Sequence, residues 1–315
     1  MTIKLSDIDI VAKIPELAST MPVFEVERSS FEERKKAIDF FAEILELGKT
    51  VPVHVQNSLH LVSKRGEIQF YKPSGSIWIS NTILDDKYKD ERRDWNVVET
   101  KDPDDPDNSK LVLVETERKK LSEQTKELFQ KADILTEEAY FCDVELDQVA
   151  QLDNEGKQIG LFAGEATVKF LYKLDGIQVD GPGAKSYAFY NPGMREHELS
   201  GIFHAWRKVV GIRKISMPGT EEAIQRVIAQ DRELILYKEK QYSIKITDIN
   251  LVYFSLPPFK YQDYIFPAFR IIGSAVPKDK DRKHEGFEFA RFYNAAPPES
   301  YAKADIYADY LATRL

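Results

Sequence analysis

Residues 179 to 209 read VDGPGAKSYAFYNPGMREHELSGIFHAWRKV, and the types needed for proton transfer gather there. Asn191-Pro192-Gly193 reads as a turn, because Pro fixes φ and Gly supplies the unusual one. With the chain from 196 to 208 extended as one strand, side chains alternate between two faces. Glu198, Ile202, His204 and Trp206 then share one side, with His197, Leu199, Phe203, Ala205 and Arg207 on the other. Pairing back around the turn sets residues near 180 to 181 opposite position 204. Asp180 beside His204 would orient the imidazole as a general base. Asp180 beside Arg207 would only brace the hairpin. A one-residue slip exchanges the two outcomes, so both stand open.

Other chemistry is expensive on this chain. His197 and His204 would lie about 23 Å apart on opposite faces of that strand, at ~3.3 Å per residue. They do not make a metal site unless Gly201 marks a sharp bulge, so no metal is expected. The GPG at 181 to 183 has no helix N-terminus behind it to hold a phosphate, and it reads as a turn. The sequence contains no G-x-S-x-G, H-E-x-x-H or Walker pattern. The lone cysteine, Cys142, excludes an intrachain disulfide and a multi-cysteine zinc site, and it reads as an inert packed thiol. Asp143, Glu145 and Asp147 alternate with apolar residues, as on the wet face of an edge strand. DPDDPDN at 102 to 108 lacks the Gly and terminal Glu of a calcium loop. Tyr264 joins His204 and Asp180 as a proton-transfer candidate. Trp78, Trp206, Arg207, Tyr253, Tyr261, Tyr264 and Phe266 together are candidates to line an aromatic groove.

The elements that must position these groups are legible as an α+β pattern. MPVFEVE reads as a strand. SSFEERKKAIDFFAEILELG reads as a helix capped by the Ser30–Glu33 box, with Ala37, Ile38, Phe41, Ile44 and Leu45 inward and Gly48 as its left-handed stop. HLVSKRGEIQFYKPSGSIWISN reads as strands broken at Gly66 and at Ser74–Gly75. Residues 85 to 110 are dense in charge and proline and read as a solvated loop. A helix follows at 118 to 132, with Leu121, Leu128, Phe129 and Ala132 inward. The second half opens on strands (GEATVKFLYKL, GIQVDG, AKSYAFYN and EHELSGIFHAWRKV). A short helix capped by Thr220 comes next, then long strands at YSIKITDINLVYFS, YIFPAFRIIGSAV and FEFARFYNA. A final helix at 299 to 313 would pack through Tyr301, Ile306, Tyr310 and Leu311. The expected architecture is two lobes of curved antiparallel sheet, each against one or two helices. Residues 1–135 would form the first lobe, and 136–315 the second, with the main sheet.

Composition narrows the function classes. The chain has 315 residues, enough for one large domain or two ordinary lobes, and its formal net charge is −8. That balance disfavours nonspecific binding to nucleic acid or anionic lipid. MTIKLSDIDIVAKIPELAST has no signal-peptide core, and no run approaches the ~20 apolar residues of a membrane span, so a cytoplasmic location is expected.

Three segments carry a family resemblance. VKFLYKLDGIQVDGPGAKSYAFYNPGMREHELSGIFHAWRKV resembles bacterial proteins with PepSY-like, cystatin-type lobes, which share a Gly-rich hairpin followed by a strand ending in Trp–Arg. LVYFSLPPFKYQDYIFPAFRIIG resembles their later strand pair, and MPVFEVERSSFEERKKAIDFFAEIL their opening strand and helix. About half the chain takes part. The resemblance implies helices lying across curved sheets.

The favoured expectation is a noncatalytic binding or regulatory protein that takes a peptide or an apolar small molecule in the aromatic groove, with no cofactor. The alternative is a small-molecule enzyme of isomerase, cyclase or hydrolase type, using His204, Asp180 or Tyr264 in a cavity. Nucleic-acid binding ranks last, for want of a basic stripe among the aromatics.

Overall fold

The computed structural model describes residues 3–81, 95–101, 109–156, 158–191, 198–279 and 286–300. A 3-10 turn (Leu5–Asp7) and β1 (Asp9–Ile10) lead into β2 (Thr20–Glu27) and α1 (Phe31–Ile44). β3 (Val51–Val55), β4 (Ser58–Val62), β5 (Gly66–Tyr71) and β6 (Ser76–Asn81) form a meander. β7 (Val97–Lys101), β8 (Ser109–Leu113) and α2 (Glu115–Lys131) follow. Then come β9 (Ala139–Leu152), β10 (Gln158–Leu174), β11 (Ile177–Asp180), β12 (Lys185–Asn191), β13 (Glu198–Ala205) and β14 (Lys208–Ser216). α3 (Thr220–Gln230) and α4 (Arg232–Glu239) precede β15 (Tyr242–Phe254), β16 (Tyr264–Ile265), β17 (Pro267–Pro277) and β18 (Phe287–Asn294). A 3-10 turn at Pro298–Ser300 closes the described chain.

The class is α+β with mostly antiparallel pairing, and the sheet is larger than the sequence suggests. Thirteen strands join in the order β18-β17-β15-β11-β10-β12-β13-β6-β5-β4-β3, with β1 on β15 and β9 on β10. Pairing of β13 with β6 carries hydrogen bonds across position 135, so strands from both halves share one ladder. β14, β2 and β16 make a smaller sheet.

Helix α1 begins as its capping box dictates. Ser30 Oγ accepts from Glu33 N–H, and the Glu33 carboxylate accepts from Ser30 N–H at 2.6 Å. Its inner face, Ala37, Ile38 and Phe41, joins Ile68, Phe70, Ile77, Ile79, Val168, Phe170 and Ile202 in one core, together with Leu121 and Phe129 of α2. Ile44 lies outside that face at 39% exposed, because the helix ends there and Leu45 takes the inward position. A second core packs α3 and α4, through Ile224, Ile228 and Leu234, on Ile244, Ile246, Phe269 and Ile271.

Several expectations need correction. Part of the supposed loop at 85 to 110 is a hairpin, β7 with β8, and Trp95 before it is buried. The alternation of VVET and KLVL was hidden by the charged residues around them, and 85–94 and 102–108 lie outside the described residues. Helix α3 is capped by Gly219 rather than Thr220, whose Oγ1 instead accepts from Leu17 N–H at 2.9 Å. A further helix, α4, follows at once, capped by the Asp231 carboxylate accepting from Leu234 N–H. Cys142 is exposed, not packed; partial desolvation of its thiol and then the Asp143 charge raise its pKa, which makes it a poor nucleophile. The proposed last helix, with Tyr301, Ile306, Tyr310 and Leu311, lies outside the described residues.

The hairpin of the opening stretch also differs. Asn191 pairs with Glu198 and Ser186 with His204, so its centre falls later than Pro192-Gly193 implies. Tyr190 opposes Leu199 while Phe189 opposes Gly201, which leaves Ser200 as the extra residue of a bulge. Leu199 and Ile202, expected on opposite faces, therefore enter the same core. The strand is broken after Ala205, and Lys208 onward pairs with β2 in the other sheet. His197 lies outside the described residues.

Candidate functional site

His204 sits at the junction of the sheets and is fully buried. Its Nδ1 shares a hydrogen bond with Ser186 Oγ at 2.7 Å, and Ser186 Oγ shares another with Tyr172 Oη at 2.5 Å. The cross-strand register places Ser186 there, since β12 and β13 set it directly opposite His204. Tyr172 in turn stacks on Trp206, with ring centroids 4.0 Å apart and planes inclined by 3°. From α1, Arg34 donates to the carbonyls of Gly75 and Trp206, both at 3.1 Å. Burial first, and the Arg34 charge second, hold the His204 pKa well below the ordinary imidazole value. Burial likewise raises the Tyr172 hydroxyl, against the opposing pull of Ser186 and Arg34. The imidazole is therefore neutral, and its Nε2 has no hydrogen-bond partner among the described residues.

A neutral imidazole on a serine hydroxyl is the pairing that activates a nucleophile. Here Ser186, Tyr172 and His204 are all fully buried, so the relay is closed to solvent. It acts as a polar bridge that ties β10, β12 and β13 together.

Asp180 contacts neither His204 nor Arg207. One carboxylate oxygen accepts from Gly181 N–H at 2.6 Å, and the other pairs with Arg270 at 3.0 Å. The reason is topological: β11 leaves β12 at the 181–184 turn and pairs with β10 and β15 instead. Arg207 is buried and holds the 255–260 loop. It donates to the carbonyls of Leu256 (3.0 Å), Pro257 (3.2 Å) and Lys260 (2.7 Å), and to Ser255 Oγ (3.2 Å).

Gly183 is what lets that loop approach. A Cβ there would lie 2.0 Å from the Leu256 carbonyl oxygen, 2.5 Å from Ser255 Oγ and 2.7 Å from Arg207 Nη1. Gly183→Ala is expected to cost about 1–3 kcal/mol through overpacking. Thermal unfolding followed by circular dichroism checks this, and an unchanged transition would contradict the packing described.

The structure disperses the aromatic candidates. Trp206 and Tyr253 are buried in one cluster with Phe24, and the Tyr253 hydroxyl donates to the Pro22 carbonyl at 3.0 Å. Phe266 is buried in another cluster, with Tyr264 packed at its margin under the Arg213 guanidinium, 4.7 Å from the Tyr264 ring centre. Tyr261 is exposed below Arg28. Trp78 is separate from all of these.

Trp78 belongs to a feature the sequence reading missed. On the sheet face turned away from α1 and α2, the register aligns Lys169, Tyr187, Phe203, Trp78 and Gln69 in one row across five strands. Phe189 flanks the row, 5.3 Å from Trp78, while Phe203 lies 5.7 Å from Trp78 and 6.3 Å from Tyr187. All four rings are half-buried. Lys169 stands 5.5 Å over the Tyr187 ring and pairs with Glu145. Partial burial pushes the Tyr187 hydroxyl up to about 12. The signal was present in AKSYAFYN, whose Tyr187 and Phe189 alternate with small or buried neighbours. A separate polar cleft of about 300 Å³ lies between β8 and β9, lined by the Arg118–Asp143 pair and by the alternating Glu145 and Asp147. It contains none of the groove or proton-transfer candidates His204, Asp180, Tyr264, Trp78, Trp206, Arg207, Tyr253, Tyr261 and Phe266.

No family model matches the chain, and no curated protein matches it. Among solved structures, an uncharacterized protein from Eubacterium rectale ATCC 33656 aligns over 89% of this chain and 84% of its own, at a TM-score of 0.50 and 10% identity. The chain is similar to that protein in fold alone.

Proposed function

We propose that the chain is a noncatalytic binding protein whose ligand rests on the Trp78, Tyr187, Phe189 and Phe203 rings. The observation that carries this reading is the contrast between those rings and the polar groups. Four aromatics on adjacent strands are left half-open on one sheet face, while the Tyr172–Ser186–His204 relay is sealed in the interior. Aromatic rings contribute large apolar area at little conformational cost, and an open cluster of them marks an interaction site. The ligand class is an apolar small molecule or the apolar side chains of a peptide. In this reading the two main cores correspond to two lobes, α1 across the sheet is the arrangement a PepSY-like, cystatin-type unit would have, and the protein works in the cytoplasm.

The test is a thermal-shift screen of the purified chain against apolar small molecules and apolar peptides. A stabilising ligand is expected, and Trp78→Ser should abolish its effect while leaving the unliganded melting temperature within a few degrees. Stabilisation that survives Trp78→Ser would move the site elsewhere.

The 2.7 Å Ser186–His204 contact favours the alternative, a hydrolase- or isomerase-type enzyme, if the interior opens. Turnover that disappears in Ser186→Ala, with Trp78→Ser fully active, would select that alternative.

A further inference from the structure

β10 outruns the sheet it belongs to. Its residues 166–171 pair with β12 along one edge, but over Gln158–Ala163 its ladder runs to β9 alone. Among the described residues, the other edge of that stretch meets no strand. The two strands therefore project as a ribbon. A two-stranded ribbon buries little on its own in water, and an open edge is a template for further pairing. At the base, next to the register shift between Ala163 and Ala166, Trp95 Nε1–H donates to the Gly164 carbonyl at 2.7 Å.

The side chains leave this edge undefended. Natural edges are blunted by lysine, proline or inward charges. Residues 148–152 (QVAQL) and 158–164 (QIGLFAG) carry no charge at all, in a chain whose net charge is −8. Val149 and Phe162 lie directly across the ladder from each other and are 64% and 59% exposed. Leu152 and Ile159 are exposed as well.

We propose that the ribbon is a dimerisation arm, with β10 of one chain adding antiparallel to β10 of a second copy. A two-fold axis perpendicular to the sheet keeps each face of the ribbon on its own side. Val149 and Phe162 of both copies then line one continuous apolar strip. Charge favours a second copy as the occupant. Acidic surfaces on two copies repel over most of the molecule, whereas the uncharged arm meets its own equivalent without like-charge opposition. A strongly acidic or basic partner would find no counter-charge along residues 148–152 and 158–164.

Light scattering coupled to size exclusion at micromolar concentration tests the proposal on the whole chain. The wild type should give about twice the 36.2 kDa of one chain. Phe162→Lys and Val149→Lys should each return the single-chain mass, with circular dichroism and melting temperature little changed. Ile159→Lys, on the same strand, is the substitute if either variant fails to fold. Ile212→Lys, at an exposed position on β14 outside the arm, should leave the dimer intact. A wild type of single-chain mass, a dimer that survives the arm variants, or one that Ile212→Lys also dissolves would overturn the proposal.

Discussion

Arg207→Met is expected to lower the melting temperature by roughly 5–8 °C, one of the two largest single-site effects in the molecule. The guanidinium is fully enclosed and supplies donors to three carbonyls and a hydroxyl in the loop after β15. Methionine keeps much of the volume but leaves those acceptors without the donors that replaced water. Removing one partner from a buried, charge-assisted network costs about 3–5 kcal/mol. At roughly 2.1 cal/mol/K per residue over the 315 residues, that cost converts to the stated shift. Arg207→Lys should fall between wild type and methionine, because an ammonium is a point donor and does not span acceptors arranged around a fork. Scanning calorimetry of the three proteins measures this, and equal stability of Arg207→Met and wild type would show that the loop is held by other contacts.

His204 should make the fold sensitive to acid. In the unfolded chain its imidazole titrates near about 6.5, whereas in the fold burial and Arg34 keep it neutral far below that value. The groups facing it are Arg34 from α1, Tyr172 from β10 and Ser186 from β12, none of which stabilises a positive charge as a carboxylate would. Above about pH 6.5 neither state binds the proton, and the full contribution is present. As pH falls further, the unfolded chain takes up a proton that the folded chain refuses. Stability then drops by up to about 1.4 kcal/mol per pH unit, until the folded value is reached. His204→Gln removes this term while keeping a polar group near Ser186. Urea unfolding of both proteins at pH 7, 6 and 5 should show the wild type losing more stability on acidification than the variant. Parallel profiles would mean that the imidazole is protonated, or reaches water, in the native state.

The parts of the fold that local chemistry dictates were legible in the sequence. The Ser30–Glu33 box, the breaks at Gly66 and Ser74–Gly75, and the long strands of the second half all match the structure because each depends on near neighbours. What depended on register was not legible. The bulge at Ser200 changes which residues of β13 share a face, and no local signal sets it. The partner of Asp180 is Arg270, distant along the chain, and it is reached only because β11 lies parallel to β15. Charge density misled at Trp95 and in β7 and β8, where a hairpin with exposed charged positions reads like a loop. For the site, the importance of the His204 and Trp206 neighbourhood was legible, and its role was not. Ser186 and Tyr172, which seal it, sit on strands whose pairing the sequence leaves open. Trp78 was singled out for a groove with Trp206, yet its true companions are Phe189 and Phe203, brought beside it by β12 and β13.

The open aromatic face can be interrogated without knowing the natural ligand, by titrating the folded chain with 1-anilinonaphthalene-8-sulfonate at neutral pH. Saturable fluorescence enhancement is predicted, falling at least tenfold in affinity in Trp78→Ser and Phe203→Ser and unchanged in Phe162→Lys. Absence of enhancement, or enhancement indifferent to both face variants, would contradict a ligand surface at these rings.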